Sequence, residues 1–360
     1  MTELASLTKE VLGAFFLGGL LLGVISQRTH FCTMGAISDV VNLGDWTRAR
    51  QWLCAIGVAM MGFAALSDLG LIDASKTLYA STRLMWLSTL VGGLMFGYGM
   101  VIASGCGNKS LVRMGGGNLK SLVVVVVMGV SAFATLKGIT AVLRANTVDT
   151  VFVDMPAGAN LSVLGIPNLS YILGTAVLLW VLRHKDFWTL DSLLAGLGVG
   201  GLVVALWWVS GHLGFVPEHP ATLDAVYLAT NSGRIEALNF VAPVAYTLDW
   251  LMFYSDASKV LSVGIAAVSG VLMGSAISAL QSNTFRWEGF ANPRDLGQHL
   301  LGSVLMGVGG VTAMGCTFGQ GLSGISTLSL NSVVALVAIV LGAVVSLRQQ
   351  AARLERTACE

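Results

Sequence analysis

The stretches FGYGMVIASGCGNKSL, residues 96–111, and MGVGGVTAMGCTFGQGL, residues 306–322, each place one cysteine inside a run of glycines. Each stretch continues an apolar segment. Because glycine lowers helix propensity and permits unusual backbone dihedrals, we expect an apolar helix to break at Cys106 and another at Cys316. When the two cysteines are aligned, the neighbouring positions 97/307, 99/309 and 105/315 are all glycine, 101/311 are valine and 103/313 are alanine.

The composition is that of a membrane protein. The chain has 360 residues, of which 55% are hydrophobic and only 11% are charged, whereas a soluble domain carries about 25% charged residues. The mean hydropathy is +0.78, and the 44 glycines fit membrane helices, where they permit close backbone approach. The net charge of +1 gives no sign of nucleic-acid binding.

Hydropathy predicts an all-α polytopic membrane protein with about nine or ten spanning helices, because about 20 apolar residues cross a bilayer. Four apolar stretches are too short or too polar to cross, and we predict that they are half-helices or re-entrant segments covered by protein: 30–42, 107–118, 284–296 and 317–328. The predicted spans are 11–27, 50–72, 85–104, 121–143, 161–182, 189–213, 239–256, 260–280, 299–314 and 331–347.

The repeat extends weakly upstream of the two cysteine breaks. SQRTHFCTMG at 26–35 resembles LQSNTFRWEG at 280–289, and aligning Phe31 with Phe285 sets Cys32 opposite Arg286. Paired interrupted segments in two halves of a chain point to a transport site near the membrane midplane. We therefore predict one transport domain with a cytoplasmic tail, divided into a first repeat half at 11–143, a middle insertion at 145–258, a second half at 260–347 and the tail at 348–360.

Basic residues in short loops predict the orientation, because such loops stay in the cytoplasm. The loops at 145–160 and 214–238 are longer, lean acidic and are predicted to be external. The N-terminus lacks the basic region of a signal peptide, so 11–27 is predicted to be a retained span. The C-terminus is predicted to be cytoplasmic, and the side of the N-terminus stays open. The cytoplasmic basic clusters are Arg48 with Arg50, Arg183 with Lys185, and Arg348 with Arg353 and Arg356.

The chemistry of the two breaks suits a soft anion. A short helix beginning near Asn108 would direct its N-terminal N–H groups toward the membrane centre and favour an anion. A neutral thiol is a polarisable, weak donor to a sulfur anion, and conduction requires weak binding at several sites. We expect both thiols to be protonated, because a thiolate would repel the anion. Thr33, Asn108, Thr317 and Gln320 offer further polar contacts.

Charged residues beside the breaks are costly within a membrane and are commonly functional. They are predicted to raise the local concentration of anions at the two ends of the transport path. The alternative is that they are topology signals or snorkelling side chains. These residues are Arg28, Lys109, Arg113, Arg286 and Arg294.

The cysteines also allow a purely structural reading. Cys106 and Cys316 could be small residues in tight helix packing, and the glycines around them could serve helix contacts alone. We predict that Cys54 packs within its span and that Cys359, in the polar tail, is incidental. The five cysteines form no CxxC pair and their number is odd, so a disulfide framework or zinc ribbon is not expected. No cofactor or metal is predicted.

The chain resembles the YeeE/YedE family of bacterial inner-membrane proteins. The motifs that carry the resemblance are QRTHFCTMGA at 27–36, FGYGMVIASGCGNKSLVRMGGG at 96–117, FRWEGFANPRDLGQHLLGSVLMGVGG at 285–310 and AMGCTFGQGLSG at 313–324. The resemblance implies an hourglass-shaped transporter for thiosulfate or a related sulfur compound. It also implies that three cysteines pass the substrate along through S–H···S hydrogen bonds. These fall on Cys32, Cys106 and Cys316, and a TusA-like cytoplasmic sulfur carrier is an implied partner.

Three functions stay open from the sequence. The first is uptake of thiosulfate or a closely related anion, without an enzymatic step. The second is transport of another species, such as sulfite or a selenium oxyanion, because QRTHFC departs from the glycine–arginine pair expected before Phe31. The third is a membrane sulfurtransferase that forms a persulfide on Cys106 or Cys316, which would need an activated thiolate, with Lys109 as the obvious activating charge.

Overall fold

The computed structural model describes residues 2–156, 158–161, 165–220, 223–256 and 258–358, and most of these residues are helical. Two short strand pairs join connecting loops: β1 (Arg83–Leu84) with β2 (Val153–Asp154), and β3 (Phe215–Val216) with β4 (Val226–Tyr227). The helices are α1 Thr2–Thr29, α2 Thr33–Leu43, α3 Thr47–Asp68, α4 Trp86–Ile102, α5 Gly107–Gly115, α6 Leu119–Lys137, α7 Ile139–Asn146, α8 Leu169–Leu182, α9 Leu190–Leu193, α10 Val199–Trp208, α11 Ala242–Met252, α12 Val263–Gln281, α13 Pro293–Thr312 and α14 Leu330–Ala358.

Seven helical segments of the described chain are long and apolar enough to cross a membrane, which confirms an all-α polytopic membrane protein. Helix α8 is apolar but shorter, and α13 has 20 residues but begins with charged side chains. Helices α9 and α10 join through π-helical turns into one segment at 190–213. The seven segments are Glu3–Leu43, Thr47–Asp68, Trp86–Gly115, Leu119–Lys137, Leu190–Leu213, Val263–Gln281 and Leu330–Arg353.

Short helices follow the three cysteines of interest. Helix α2 begins after Cys32, α5 begins after Cys106, and a π-helical turn at Gly319–Gly324 follows Cys316. Two of the predicted elements were wrong, one short segment and one span. The stretch 284–296 has no helix before α13 begins at Pro293. The predicted span 239–256 contains only α11, whose 11 residues rise about 1.5 Å each and cannot cross a bilayer.

The cysteine-bearing halves are related by an inverted arrangement. Helices α4 and α13 run antiparallel, because Gly92 approaches Ala313 at one end while Gly99 approaches Gly302 farther along. Helix α4 packs on α14 in the way that α13 packs on α6. The glycines at positions 97 and 307, which are aligned in the sequence repeat, both permit this packing. A Cβ would lie 2.0 Å from the Ile339 carbonyl oxygen at position 97, and 2.5 Å from that of Met128 at position 307.

The structure pairs Phe31 with Phe240, whereas the sequence match pairs it with Phe285. Phe31 and Phe240 each precede a short helix, α2 and α11, and both rings contact Phe318 with centroids 5.9 and 5.2 Å apart. Phe285 instead lies in the connection between α12 and α13. We therefore propose that the second half of the repeat begins near residue 190, so that most of the expected middle insertion belongs to it.

Equivalent ion pairs hold the two short helices. Asp39 of α2 binds Arg48 at the start of α3, with 3.1 Å between the carboxylate and guanidinium. Asp249 of α11 binds Lys259, just before α12, with 2.6 Å between the charged atoms. Each pair ties a non-spanning helix to the beginning of the next long helix, which supports the alignment of α2–α3 with α11–α12.

The connections divide between two faces of the bundle. One face, the loop face, carries the described parts of three loops that contact one another: 69–85, 147–168 and 214–241. Leu78 N–H donates to Ile235 C=O at 3.0 Å, and Met155 N–H donates to Thr82 C=O at 2.8 Å. The opposite, tail face carries turns 116–118 and 282–292. The predicted external loops therefore share one face. The predicted cytoplasmic clusters at 48–50 and 183–185 lie on the other, where Arg50 binds Asp186 at 3.5 Å.

Candidate functional site

Three buried thiols lie at the starts of the short elements that follow the helix breaks. Cys32 begins α2, and its Sγ accepts a hydrogen bond from Gly35 N–H at 3.4 Å. Cys316 repeats this geometry, accepting from Gly319 N–H at 3.5 Å. The Cys106 thiol begins α5 and lies beside both the Cys32 thiol and the hydroxyl of the residue after Cys316. The structure therefore brings together the three cysteines that the family resemblance selected.

Buried polar atoms without a partner surround these thiols. Thr33 Oγ1, Thr317 Oγ1 and both polar atoms of the Asn108 amide make no hydrogen bond within the described residues. All three side chains are buried, with exposures of 6%, 1% and 1% respectively. An unpaired buried polar group costs about 1–3 kcal/mol, and such groups are uncommon in folded proteins. Each of these side chains follows a cysteine by one or two residues, so every thiol has an unpaired polar group beside it in the chain.

Cavities approach this cluster from both faces. The loop-face cavity has a volume of about 790 Å³ and reaches Met314, Gly315 and Gln320, immediately beside Cys316. The tail-face cavity has a volume of about 490 Å³ and reaches His30 and Lys109, beside Cys32 and Cys106. The two cavities therefore reach the cysteine breaks from opposite faces of the bundle.

Charge is distributed unequally between the two cavities. Lys109 lines the tail-face cavity and forms no ion pair with any described residue. Lys120 in the same cavity is neutralised by Asp295 at 2.8 Å. The position equivalent to Lys109 in the second half is Gly319, 210 residues later in the cysteine alignment. Within the described ranges, an ammonium group without an ion pair therefore lies on the tail side, next to the thiols of Cys32 and Cys106.

The predicted site residues fall into two groups. Asn108, Lys109 and Thr317 adjoin the thiols. Gln320 lines the loop-face cavity, but its amide holds the break together: Nε2 donates to Ala313 C=O at 2.6 Å and Oε1 accepts from the Ser332 hydroxyl. Its available hydrogen-bonding capacity for a ligand is correspondingly small.

The predicted arginines lie farther from the thiols. Arg286 is exposed and lines the tail-face cavity. Arg28 and Arg294 are exposed and line neither of the two cavities. Arg113 lines the tail-face cavity, where Nη1 donates to Ser104 C=O at 2.7 Å. Arg113 thus supports the end of α4, and Arg28 and Arg294 are placed to act on the anion only at long range.

Tyr79 and Asn239 belong to the loop-face cavity and were missed by the sequence reasoning. A Cβ on Gly319 would lie 3.3 Å from the Tyr79 hydroxyl and 3.0 Å from Asn239 Cγ, so both side chains border the segment that follows Cys316. Asn239 precedes Phe240 as His30 precedes Phe31, so an alignment of Phe31 with Phe240, as proposed above, would have selected it. Tyr79 lies in a connecting loop and has no comparable sequence signal.

The remaining cysteines stand apart from this site. Cys54 packs in α3 against Phe187 and Gly196, where a glycine Cβ would lie 2.8 Å from the thiol sulfur. This is the packing role that the sequence predicted. Cys359 lies outside the described residues. The described chain contains no group of three or more His, Cys, Asp or Glu side chains suited to a metal ion.

Comparison with known proteins gives the same class of function. A family described as sulphur transport matches residues 28–345. The thiosulfate transporter TsuA of Escherichia coli K12 is 27% identical over 332 residues, covering 90% of each chain. TsuA of Spirochaeta thermophila is 26% identical over 340 residues, covering 90% of this chain and 94% of its own. A probable transporter, YedE of E. coli, is 27% identical over 105 residues, or 29% of this chain.

These matches indicate a transporter and not an enzyme, so the persulfide-forming alternative is not favoured. The family match and both TsuA matches extend along nearly the whole chain, and the family match includes both cysteine breaks. Together with the spanning helices and the paired cavities, they establish that the chain is a multi-pass membrane protein of the sulphur transport (YeeE/YedE) family.

Proposed function

We propose that this chain takes up thiosulfate, or a closely related sulfur-containing anion, across the bacterial inner membrane through the constriction between the two cavities. The observation that carries the proposal is the set of three buried thiols at the helix breaks, each followed by an unpaired polar side chain at Thr33, Asn108 or Thr317. TsuA, a relative that aligns along most of the chain, is named a thiosulfate transporter.

The site suits both ends of such an anion. Neutral thiols donate weak hydrogen bonds to a polarisable terminal sulfur, while hydroxyl and amide groups donate stronger bonds to sulfonate oxygens. The N-termini of α2 and α5, with 11 and 9 residues, add backbone N–H groups that favour negative charge. Binding through several weak donors allows the anion to leave as well as enter, which supports a relay from one thiol to the next.

The direction of uptake follows from the two faces. The positive-inside rule assigns the tail face, with the basic clusters and the C-terminal end of α14, to the cytoplasm. The anion would then enter through the larger loop-face cavity and pass toward Lys109, whose free charge attracts it inward. A TusA-like sulfur carrier on the cytoplasmic side is the proposed acceptor partner.

Another cargo of similar charge would use the same groups. Sulfite and selenium oxyanions are the alternatives, and they differ from thiosulfate in the terminal sulfur that the thiols would contact. Competition for the uptake of labelled thiosulfate ranks these anions directly. Stronger inhibition by sulfite or by a selenium oxyanion than by unlabelled thiosulfate would reassign the cargo.

Growth tests the proposed function in the cell. The chain is expressed in a bacterium that lacks its own sulfate and thiosulfate importers, with thiosulfate as sole sulfur source. Growth is expected with the wild type and with Cys54→Ala, whose thiol only packs. Slow or absent growth is expected with Cys106→Ala and with Cys316→Ala at equal membrane levels. Full growth of both variants would refute the thiol relay, and no growth with the wild type would refute the cargo.

A further inference from the structure

The loop-face cavity contains a carboxyl group that no cation neutralises. Glu236 lines this cavity together with Tyr79, Asn239 and the residues that precede Cys316. Its Oε1 accepts hydrogen bonds from Ser232, from the backbone N–H at 3.0 Å and from the hydroxyl. Among the described residues, no Lys, Arg or His nitrogen lies within ion-pair distance of this carboxyl. An ionised Glu236 would therefore place a negative charge in the cavity without a direct ion-pair partner.

The two arginines of the cavity do not form ion pairs with Glu236. Arg144 of α7 faces the cavity but binds Asp149 at 2.9 Å. Arg234 lies in the same loop as Glu236 and donates through Nη1 to Ala80 C=O at 2.8 Å. Neither guanidinium is paired with the Glu236 carboxyl.

Tyrosines face Glu236 from the other elements that pack around it. Tyr79 comes from the loop before α4, and Tyr246 comes from α11. Phenol groups stay neutral below a pH of about 10. In the physiological range, Glu236 is therefore the group of this cluster whose charge can change.

Burial raises the pKa of Glu236 above its ordinary value, and the hydrogen bonds from Ser232 oppose the shift only in part. The group interacts electrostatically with Tyr79, and Tyr79 interacts in turn with Cys316. Glu236 thus lines the cavity that reaches the break at Cys316, on the route that the anion would take. An anion on that route is repelled by the ionised carboxyl and not by the protonated one.

We propose that Glu236 links anion binding to proton binding in the loop-face cavity. Its carboxyl group holds a proton while the substrate anion occupies the cavity. This inference rests on the proposed function. Linkage is reciprocal, so an anion that prefers protonated Glu236 also promotes its protonation. Uptake therefore increases as the external pH falls through the pKa of Glu236 and decreases as the pH rises above it.

The test compares pH profiles of labelled thiosulfate uptake into proteoliposomes. In the wild type, uptake is expected to fall above the pKa of Glu236, by up to about tenfold per pH unit. Glu236→Gln keeps the acceptor oxygen for Ser232 and is expected to give a flat profile at the high rate. Glu218→Gln, at an exposed position in the same loop, is the matched control and should keep the wild-type profile.

A second readout does not depend on turnover. Calorimetric titration of thiosulfate into the purified protein, in buffers with different ionisation enthalpies, measures the protons taken up on binding. The wild type is expected to take up protons and Glu236→Gln is expected to take up none. Parallel pH profiles and equal proton uptake in an active transporter would overturn this inference alone. Absence of thiosulfate uptake by the wild type would overturn the proposed function and this inference with it.

Discussion

Ser104 and Met314 adopt the same left-handed backbone conformation, with φ of 60° and 58°, each two residues before a site cysteine. These residues end α4 and α13 and turn the chain toward the thiols. The left-handed region costs a residue with a side chain about 1–2 kcal/mol. The breaks are therefore not made by the left-handed freedom of Gly105 and Gly315, whose φ values are not in that region. The inverted halves use one equivalent turn twice.

This relationship predicts how the two positions respond to substitution. Ser104→Gly and Met314→Gly should retain uptake and unfold at or above the wild-type temperature, because glycine adopts φ near 60° without strain. Ser104→Val should lose about 2 kcal/mol of stability, because a β-branched residue fits that region poorly. Thermal unfolding in detergent, followed by tryptophan fluorescence, measures the shifts. Equal behaviour of the glycine and valine variants would contradict the account.

Close helix packing at Gly97 predicts a large effect of a single methyl group. A Cβ there would lie 2.0 Å from the Ile339 carbonyl oxygen, so Gly97→Ala must separate α4 from α14 and should cost about 2 kcal/mol. Gly201 of α10 meets no atom within 4 Å, and Gly201→Ala should gain about 0.5–1 kcal/mol from helix propensity. Unfolding temperatures of the two variants give the comparison. A stable Gly97→Ala would show that the two helices do not pack as described.

The ion pairs of the short helices predict unequal losses of folding stability when each pair is broken. Only 9% of the Asp249 side chain is exposed, so Lys259→Ala leaves a buried charge without its partner and should cost about 3 kcal/mol. Arg48 and Asp39 are more exposed, at 39% and 16%, and Arg48→Ala should cost about 1 kcal/mol or less. Adding Asp249→Asn to Lys259→Ala should recover stability, because the buried charge is removed. Unfolding temperatures test this order, and its reversal would contradict it.

The raised pKa of Glu236 predicts a pH-dependent stability. Below the unfolded-state pKa the group is protonated in both states, and this term does not oppose folding. As pH rises from there through the higher folded-state pKa, the unfolded state ionises more readily and the folded state loses relative stability. Glu236→Gln should therefore unfold at a higher temperature than the wild type at pH 8 and show a smaller difference at pH 4. A constant difference between the two proteins across this range would contradict the assignment.

The sequence was informative where chemistry repeats along the chain. The glycine–cysteine pattern located both breaks, and the short apolar stretches after Cys32 and Cys106 are short helices. Hydropathy could not distinguish α11 from a spanning helix, because a buried half-helix is as apolar as a span. The alignment of Phe31 with Phe285 rested on a short local similarity in sequence. The structural counterpart, Phe240, shares its place and its contact with Phe318 but has little surrounding sequence in common.

The polar part of the site was harder to predict. Asn108 and Thr317 were found because they adjoin the cysteines in sequence. Tyr79 reaches Gly319 only through the tertiary fold, and no local pattern indicates that contact. Gln320 had the right chemistry and position for a ligand contact. Its amide is nevertheless used within the fold, which only its partners Ala313 and Ser332 reveal.

In the proposed function, a soft anion passes along the buried thiols. The most direct test measures the initial rate of radiolabelled thiosulfate uptake into proteoliposomes for wild type, Cys106→Ala, Cys106→Ser and Cys54→Ala, at equal protein incorporation. One lost hydrogen bond of about 1 kcal/mol corresponds to about fivefold in rate. Cys106→Ala should therefore slow uptake by about fivefold or more, Cys106→Ser should be intermediate, and Cys54→Ala should match the wild type. Wild-type rates in both Cys106 variants would contradict the thiol pathway.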